Sequence, residues 1–381
     1  MQTRVLAALI CSTIAVPAMA QSSVTLYGLI DEGLNYTSNI QGHKAYQLQS
    51  GTMQGSRFGL RGSEDLGGGL KAIFQLENGF NASTGKLGQG GLMFGRQAWV
   101  GLASDQYGSI TMGRQYDSVV NYLAQTTANG AWGGSNFSHP YDNDNTDNSF
   151  RINNTAKYTS PLIAGFKFGG TYSFSNDTNF ANNRAYSAGA QYTVGGLLLA
   201  AAFLESNNPS SSAGGAINNG GDENFVGTKL RIFGAGATYT FGLAQVGVSY
   251  SNTYVANPTT SGYVGKITPV TGTLSSLRYQ NFEINGKYQF TPAFSLGAMY
   301  TYTRSDFNAT TGKLNPNYQT AGLVADYFVS KRTDVYVNTA YQHVGGDRTG
   351  TVLDLAFLPG TDNPSSTQNQ LAVRVGLRHK F

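Results

Sequence analysis

Few residues in this chain have the type and spacing that covalent chemistry needs. Asp142-Asn143-Asp144-Asn145-Thr146 has the DxDxT order of enzymes that form an aspartyl phosphate, but it sits in a Pro/Asn-rich stretch without a buried strand before it. The same run begins like an EF-hand loop, yet glycine is absent where such a loop makes its sharp turn. A hydrolase needs a serine beside a base. His43, His139, His343 and His379 belong to no recognisable nucleophile motif, and three of them fall in expected loops or at a loop edge. There is no Walker loop and no zinc-like ligand spacing. The sequence therefore assigns no catalytic residue, no metal and no cofactor.

What the sequence does supply is charge at alternating positions. Arg57 and Arg61 alternate with Phe58 and Leu60, Lys71 and Glu77 with Leu70, Phe74 and Leu76, and Arg151 and Lys157 with Ile152 and Tyr158. Arg96 and Arg114 are ambiguous, since Arg96 shares parity with Phe94 and Val100, and Arg114 with Ile110 and Met112. Between Gln115 and Arg151 every charge is acidic: Asp117, Asp142, Asp144 and Asp147. Two placements are open for the DNDNTDN run, one facing the basic residues and one solvated outside.

The elements that hold these charges are strands. In FEINGKYQF, Phe282, Ile284, Tyr288 and Phe290 oppose Glu283, Asn285, Lys287 and Gln289, and AGFKFGGTYSF and FSLGAMYTY separate in the same way. A period of two puts the two sets on opposite faces of a sheet. Sixteen such segments run from SVTLYGLIDEGLNY to the C-terminus, an even number that fits a closed barrel. Seven short turns alternate with eight long polar loops, expected near 39–54, 81–91, 117–150, 175–184, 206–228, 254–276, 305–316 and 345–369. Fifteen connections are what sixteen antiparallel strands require.

The two ends decide the environment. MQTRVLAALICSTIAVPAMA has a basic residue at Arg4, an apolar run from Val5 to Val16, and Ala18 and Ala20 before Gln21, the layout of a signal peptide over residues 1–20. Its removal takes Cys11, the single cysteine, so the exported part 21–381 has no disulfide. It also takes Arg4 from a formal net charge of +4, leaving a balance too small and scattered for nucleic-acid binding. At the other end, LAVRVGLRHKF sets Leu371, Val373, Val375, Leu377 and Phe381 against Arg374, Arg378 and Lys380. In an outer membrane the apolar face meets lipid and the charged face lines a wet interior. A terminal Phe381 resembles the signal by which barrel-assembly machinery recognises outer-membrane proteins.

Here the chain resembles the general porins of Gram-negative bacteria, in the branch typical of beta-proteobacteria. The resemblance rests on SVTLYGLIDEGL at 23–34, SRFGLRGSEDLGGGLKAIFQLENGF at 56–80, GRQAWVGL at 95–102, YGSITMGRQYD at 107–117, RINNTAKYTSP at 151–161 and the ending VGLRHKF. It implies an all-β, sixteen-stranded antiparallel transmembrane barrel, assembled as a homotrimer, whose third extracellular loop (117–150) folds inward. It also implies that Arg57, Arg61, Arg96, Arg114 and Arg151, with Lys71 and Glu77 along the same wall, face Asp117, Asp142 and Asp144 across the pore. For Arg96 and Arg114 this placement comes from the resemblance alone. Rings of charge choose ion sign in pores, so the expected function is passive diffusion of small hydrophilic solutes and ions with anion preference. Two other functions remain open, adhesion through the long loops and a membrane-embedded hydrolase.

Overall fold

The computed structural model describes residues 23–212, 214–218, 222, 224–269 and 271–381, and the expected leader at 1–20 lies outside them. Sixteen antiparallel strands follow in order: β1 (Ser23–Ile40), β2 (His43–Ser50 continued by Arg57–Gly67), β3 (Leu70–Gly79), β4 (Gln97–Ser104), β5 (Gly108–Gln115), β6 (Ile152–Thr159), β7 (Phe166–Ser173) and β8 (Ala185–Val194). The second half comprises β9 (Leu197–Asn207), β10 (Lys229–Phe241), β11 (Ala244–Ala256), β12 (Leu274–Gln289), β13 (Phe294–Ala309), β14 (Gly312–Leu314 continued by Pro316–Phe328), β15 (Thr333–Gly346) and β16 (Asn369–Lys380). Each strand pairs with the next, and β1 pairs with β16 from Leu29↔Lys380 to Thr37↔Ala372, which closes the barrel. Closure leaves no strand edge to be satisfied by water, the condition for spanning hydrocarbon with strands.

The faces are inverted relative to a water-soluble barrel. Along β13, Thr301, Thr303 and Ser305 are buried, while Leu296, Tyr300 and Tyr302 stay 38–42% exposed. Along β1, Val24, Leu26, Ile30 and Leu34 face out, while Asp31, Asn35 and Thr37 face in. Apolar side chains thus cover the surface that lipid must wet.

Three expectations are corrected. The first and seventh of the eight long loops, expected at 39–54 and 305–316, are mostly hairpin: β1 turns at Gln41-Gly42 and β13 at Thr310-Thr311. Residues 51–56 interrupt β2, both parts of which pair with β1. Polar composition suggested loops there, but polar side chains suit strands that extend beyond the membrane. Ile152, expected on the lipid face by alternation with Arg151, is fully buried in an interior cluster. The φ of 53° at Asn154 and a register shift between β5 and β6 break the alternation.

The long connection 116–151, here called L3, enters the barrel. Asp117 caps its short helix, Ser118–Asn121, accepting from the Val119 amide at 2.6 Å and the Val120 amide at 3.3 Å. L3 then lies along the inner wall, meeting it at glycines. A Cβ at Gly189 would meet Tyr122 Cδ2 at 2.5 Å, one at Gly297 Trp132 Cζ3 at 2.5 Å, and one at Gly322 Phe137 Cε1 at 2.5 Å. These glycines are required for close approach rather than for turns.

Candidate functional site

L3 and the loops near it divide the interior unevenly. On the side of β12–β15, Tyr141 of L3 packs against Phe225, Tyr279, Tyr318 and Phe357 with ring centroids 5.9–6.4 Å apart. Phe225 comes from the connection after β9 and Phe357 from the one after β15, so several loops share one apolar cluster with L3. Open space is left on the other side, against β2–β6, as a cavity of about 820 Å³. Its charged lining is Arg57, Arg96, Arg151, Asp147 and Asp222, with Tyr116 and the amide-rich stretch from Gly51 to Gly55 beside them.

Each basic residue has a definite setting. Arg96 donates from Nε to Glu77 Oε1 at 2.8 Å and from Nη2 to the Tyr116 hydroxyl at 3.1 Å. Glu77 is buried and also accepts from the Tyr27 hydroxyl at 2.9 Å and the Tyr116 hydroxyl at 3.2 Å, with Arg57 Nη1 4.0 Å away. Arg114 forms a two-pronged pair with Asp222, at 2.7 and 3.0 Å, and donates from Nε to the Gly95 carbonyl at 2.7 Å. Among the described residues Arg151 makes no side-chain ion pair within 4.0 Å, and its Nε, like that of Arg57, has no hydrogen-bond partner. Burial, with Arg96 adding repulsion, pulls the Arg151 guanidinium down to about 10, still charged at neutral pH.

Arg61 and Lys71 lie away from this cavity. Arg61 is exposed, its guanidinium carbon 5.3 Å from the Tyr27 ring centroid, and Lys71 pairs with Asp105 at 3.3 Å near the short turns. The acidic residues divide too. Asp117 is fully buried as the helix cap and accepts from Asn145 Nδ2 at 2.8 Å. Asp142 accepts from the Asp147 and Ser149 amides at 2.9 and 3.2 Å. Asp144 binds His139, Ser251 and Thr146. None of these three lines the cavity, whereas Asp147 does. Among the described residues no group of three or more His, Cys, Asp or Glu is placed to hold a metal ion.

A family model described as Gram-negative porin matches residues 5–347. The chain is a Gram-negative porin. An outer membrane porin protein of Bordetella pertussis is 31% identical over 421 aligned residues, covering 100% of both chains. Outer membrane porin protein 32 of Delftia acidovorans is 38% identical over 164 residues, 41% of this chain and 45% of its own. Among solved structures, the anion-selective porin from Comamonas acidovorans superposes with a TM-score of 0.69 at 23% identity, covering 95% of this chain and 100% of its own. The OmpT of Vibrio cholerae in its trimer form does so with a TM-score of 0.64 at 17% identity, over 94% and 99%. The barrel is thus an outer-membrane channel.

The two arginines of ambiguous parity both turn inward in this porin, for local reasons. Arg96 precedes the first residue of β4, so strand alternation does not apply to it. Arg114 follows Gly113, whose φ is 134°, and the register against β6 slips between Gly113 and Gln115. This bulge keeps Ile110 and Met112 on the lipid face while Arg114 turns in. Without it a cation would face lipid, at a cost of roughly 2–4 kcal/mol at the midplane and less toward the rims.

Sequence reasoning did not single out Asp222, and it left Asp147 as one of an undivided acidic run. Asp222 stands 108 positions from its partner Arg114, and no local pattern marks it. Asp147 differs from its neighbours only in which way a backbone with positive φ at Asp142, Asn145 and Asn148 aims it.

Proposed function

We propose that the porin conducts small hydrophilic solutes with a preference for anions, as a homotrimer of separate pores, with its constriction at the cavity between L3 and the β2–β6 wall. In this reading Arg57, Arg96, Arg114 and Arg151 set the local charge against Glu77, Asp147 and Asp222. Arg61 and Lys71 contribute positive potential nearer the periplasmic rim. Asp117, Asp142 and Asp144 hold L3 in shape and take no part in ion selection. Four guanidiniums against three carboxylates leave the narrowest charged region net positive. The observation that carries the reading is that three guanidiniums, of Arg57, Arg96 and Arg151, line one cavity against two carboxylates, of Asp147 and Asp222. An excess of guanidiniums there attracts anions and repels cations. The anion-selective character named for the Comamonas porin and the trimer form named for the Vibrio protein support the same reading.

The test is the reversal potential of purified channels in a planar bilayer under a KCl gradient. Anion preference is expected, strongest at low salt, because fixed charge is screened over about 8–10 Å at physiological ionic strength. R57E combined with R151E should move the reversal potential toward cations. A cation-preferring parent channel, or an inserted double variant that keeps the parent's potential, would refute it.

A further inference from the structure

Asp222 reaches the constriction from the connection between β9 and β10. Its Oδ1 accepts from Arg114 Nη2 at 2.7 Å and from the Arg151 backbone amide at 3.1 Å, and its Oδ2 accepts from Arg114 Nη1 at 3.0 Å. Its side chain is inaccessible, yet the residue lines the same cavity as Arg57, Arg96 and Arg151. A guanidinium fork plus a backbone amide is what a carboxylate or phosphate would seek in a narrow basic pore. In this chain a carboxylate of its own already fills it.

We infer that Asp222 is a specificity-determining residue, a tethered anion that lowers the net charge of the constriction and denies the Arg114 fork to passing oxyanions. The inference rests on the anion-preferring reading above. Anion preference is held below the level that four arginines would give, and the fork cannot trap a permeating phosphate or carboxylate. Arg114 does not depend on Asp222 for its position. It also donates to the Gly95 carbonyl at 2.7 Å and to Asn153 Oδ1 at 2.6 Å, so the fork remains aimed when the carboxylate is gone.

The rival explanation is a staple that merely holds the loop after β9 against the wall. The two are separated by breaking the same pair from either side. In D222N and R114Q the staple is weakened alike, but the charge changes in opposite directions. Reversal potentials in a KCl gradient at low salt and neutral pH should move toward anions in D222N and toward cations in R114Q. Each shift should be roughly two- to five-fold in permeability ratio, as one unit charge near the ion path implies. Inorganic phosphate, added as a probe, should reduce chloride conductance of D222S, whose shorter side chain vacates the fork that the isosteric asparagine still fills, at several-fold lower concentration than it does the parent channel. Shifts of both variants in the same direction, or an inserted D222N with the parent's potential, would overturn the inference. If D222N does not insert, D222S is measured in its place, and failure of both to insert identifies the staple and equally overturns it. Failure of the reading above would show as cation preference in the parent channel. The Asp222 inference is judged on the direction of change from the parent, whichever sign that has.

Discussion

At the scale of single residues, the contrast between Asp147 and its neighbours shows how one loop divides its charges between structure and function. Asp117, Asp142 and Asp144 accept hydrogen bonds from L3 itself or from the wall, whereas Asp147 lines the cavity shared by Arg96 and Arg151. Burial pushes the Asp147 carboxyl up to about 6, although Arg151 and Arg96 pull it the other way. Its proton is bound more tightly in the folded protein than in the unfolded chain, so the ionised form weakens the fold as pH rises from the ordinary aspartate value, ~3.9, through 6. In the pore the consequence runs through charge. As pH falls through 6 the constriction loses one negative charge, so anion preference should rise, by roughly two- to five-fold in permeability ratio. Reversal potentials measured on both sides of pH 6 check this, and D147N should show the acid-like preference throughout and lose the step. A parent channel whose selectivity is flat across that range would remove Asp147 from the ion path.

At the scale of elements, L3 is held by contacts far apart in sequence. His139 lies between Asp144, 2.7 Å from Nδ1, and Glu283 of β12, 3.1 Å from Nε2, and Glu283 also accepts from the Ala128 amide at 2.7 Å. Burial pushes the His139 imidazole down, but the two carboxylates outweigh it and raise it to about 10. A folded-state pKa above the unfolded value, ~6.5, means that the stabilisation is complete below 6.5, declines above it, and is lost as pH passes 10. L3 should therefore loosen in alkali, seen as rising open-channel noise and protease cleavage within 117–150 while the barrel stays intact. H139Q should show both signs at neutral pH, since removing one partner of a buried ion pair costs about 3–5 kcal/mol. A quiet, protease-resistant H139Q channel would mean that the glycine-seated contacts of Tyr122, Trp132 and Phe137 suffice to hold the loop. The sequence shows Glu283 on an inward face by alternation, and it shows L3 as long and acidic. It does not show that the two meet, because 144 positions separate His139 from Glu283 and neither stands in a local motif. Arg57 is legible from strand phase for the same reason that Arg114 is not: period two holds along a regular strand and fails at the Gly113 bulge.

At the scale of the whole molecule, the inverted faces and the even strand count are written in every strand, which is why the barrel can be read from alternation without any pairing information. Its seam is a different matter. The backbone of Phe381 exchanges hydrogen bonds with Gly28, at 3.0 and 3.1 Å, and its ring lies across that glycine, where a Cβ would meet it at 2.5 Å. The ring remains 43% exposed on the apolar outer face. Deleting Phe381 removes two hydrogen bonds, worth about 0.5–1.5 kcal/mol each net, and one interfacial aromatic. That is a small part of a seam in which β1 and β16 pair over nine positions, from Leu29 to Thr37. The finished barrel should tolerate it. If Phe381 serves as the assembly signal, the defect will instead be one of recognition, and the two can be told apart. The deletion variant refolded in detergent should give a barrel with full β-sheet content and a modestly lowered melting temperature. In cells the same variant should accumulate in the periplasm, with synthesis unchanged and heat-resistant oligomers lost. Normal heat-resistant oligomers in the outer membrane would show that the terminal ring is only a seam residue, and failure to refold in detergent would assign its role to stability.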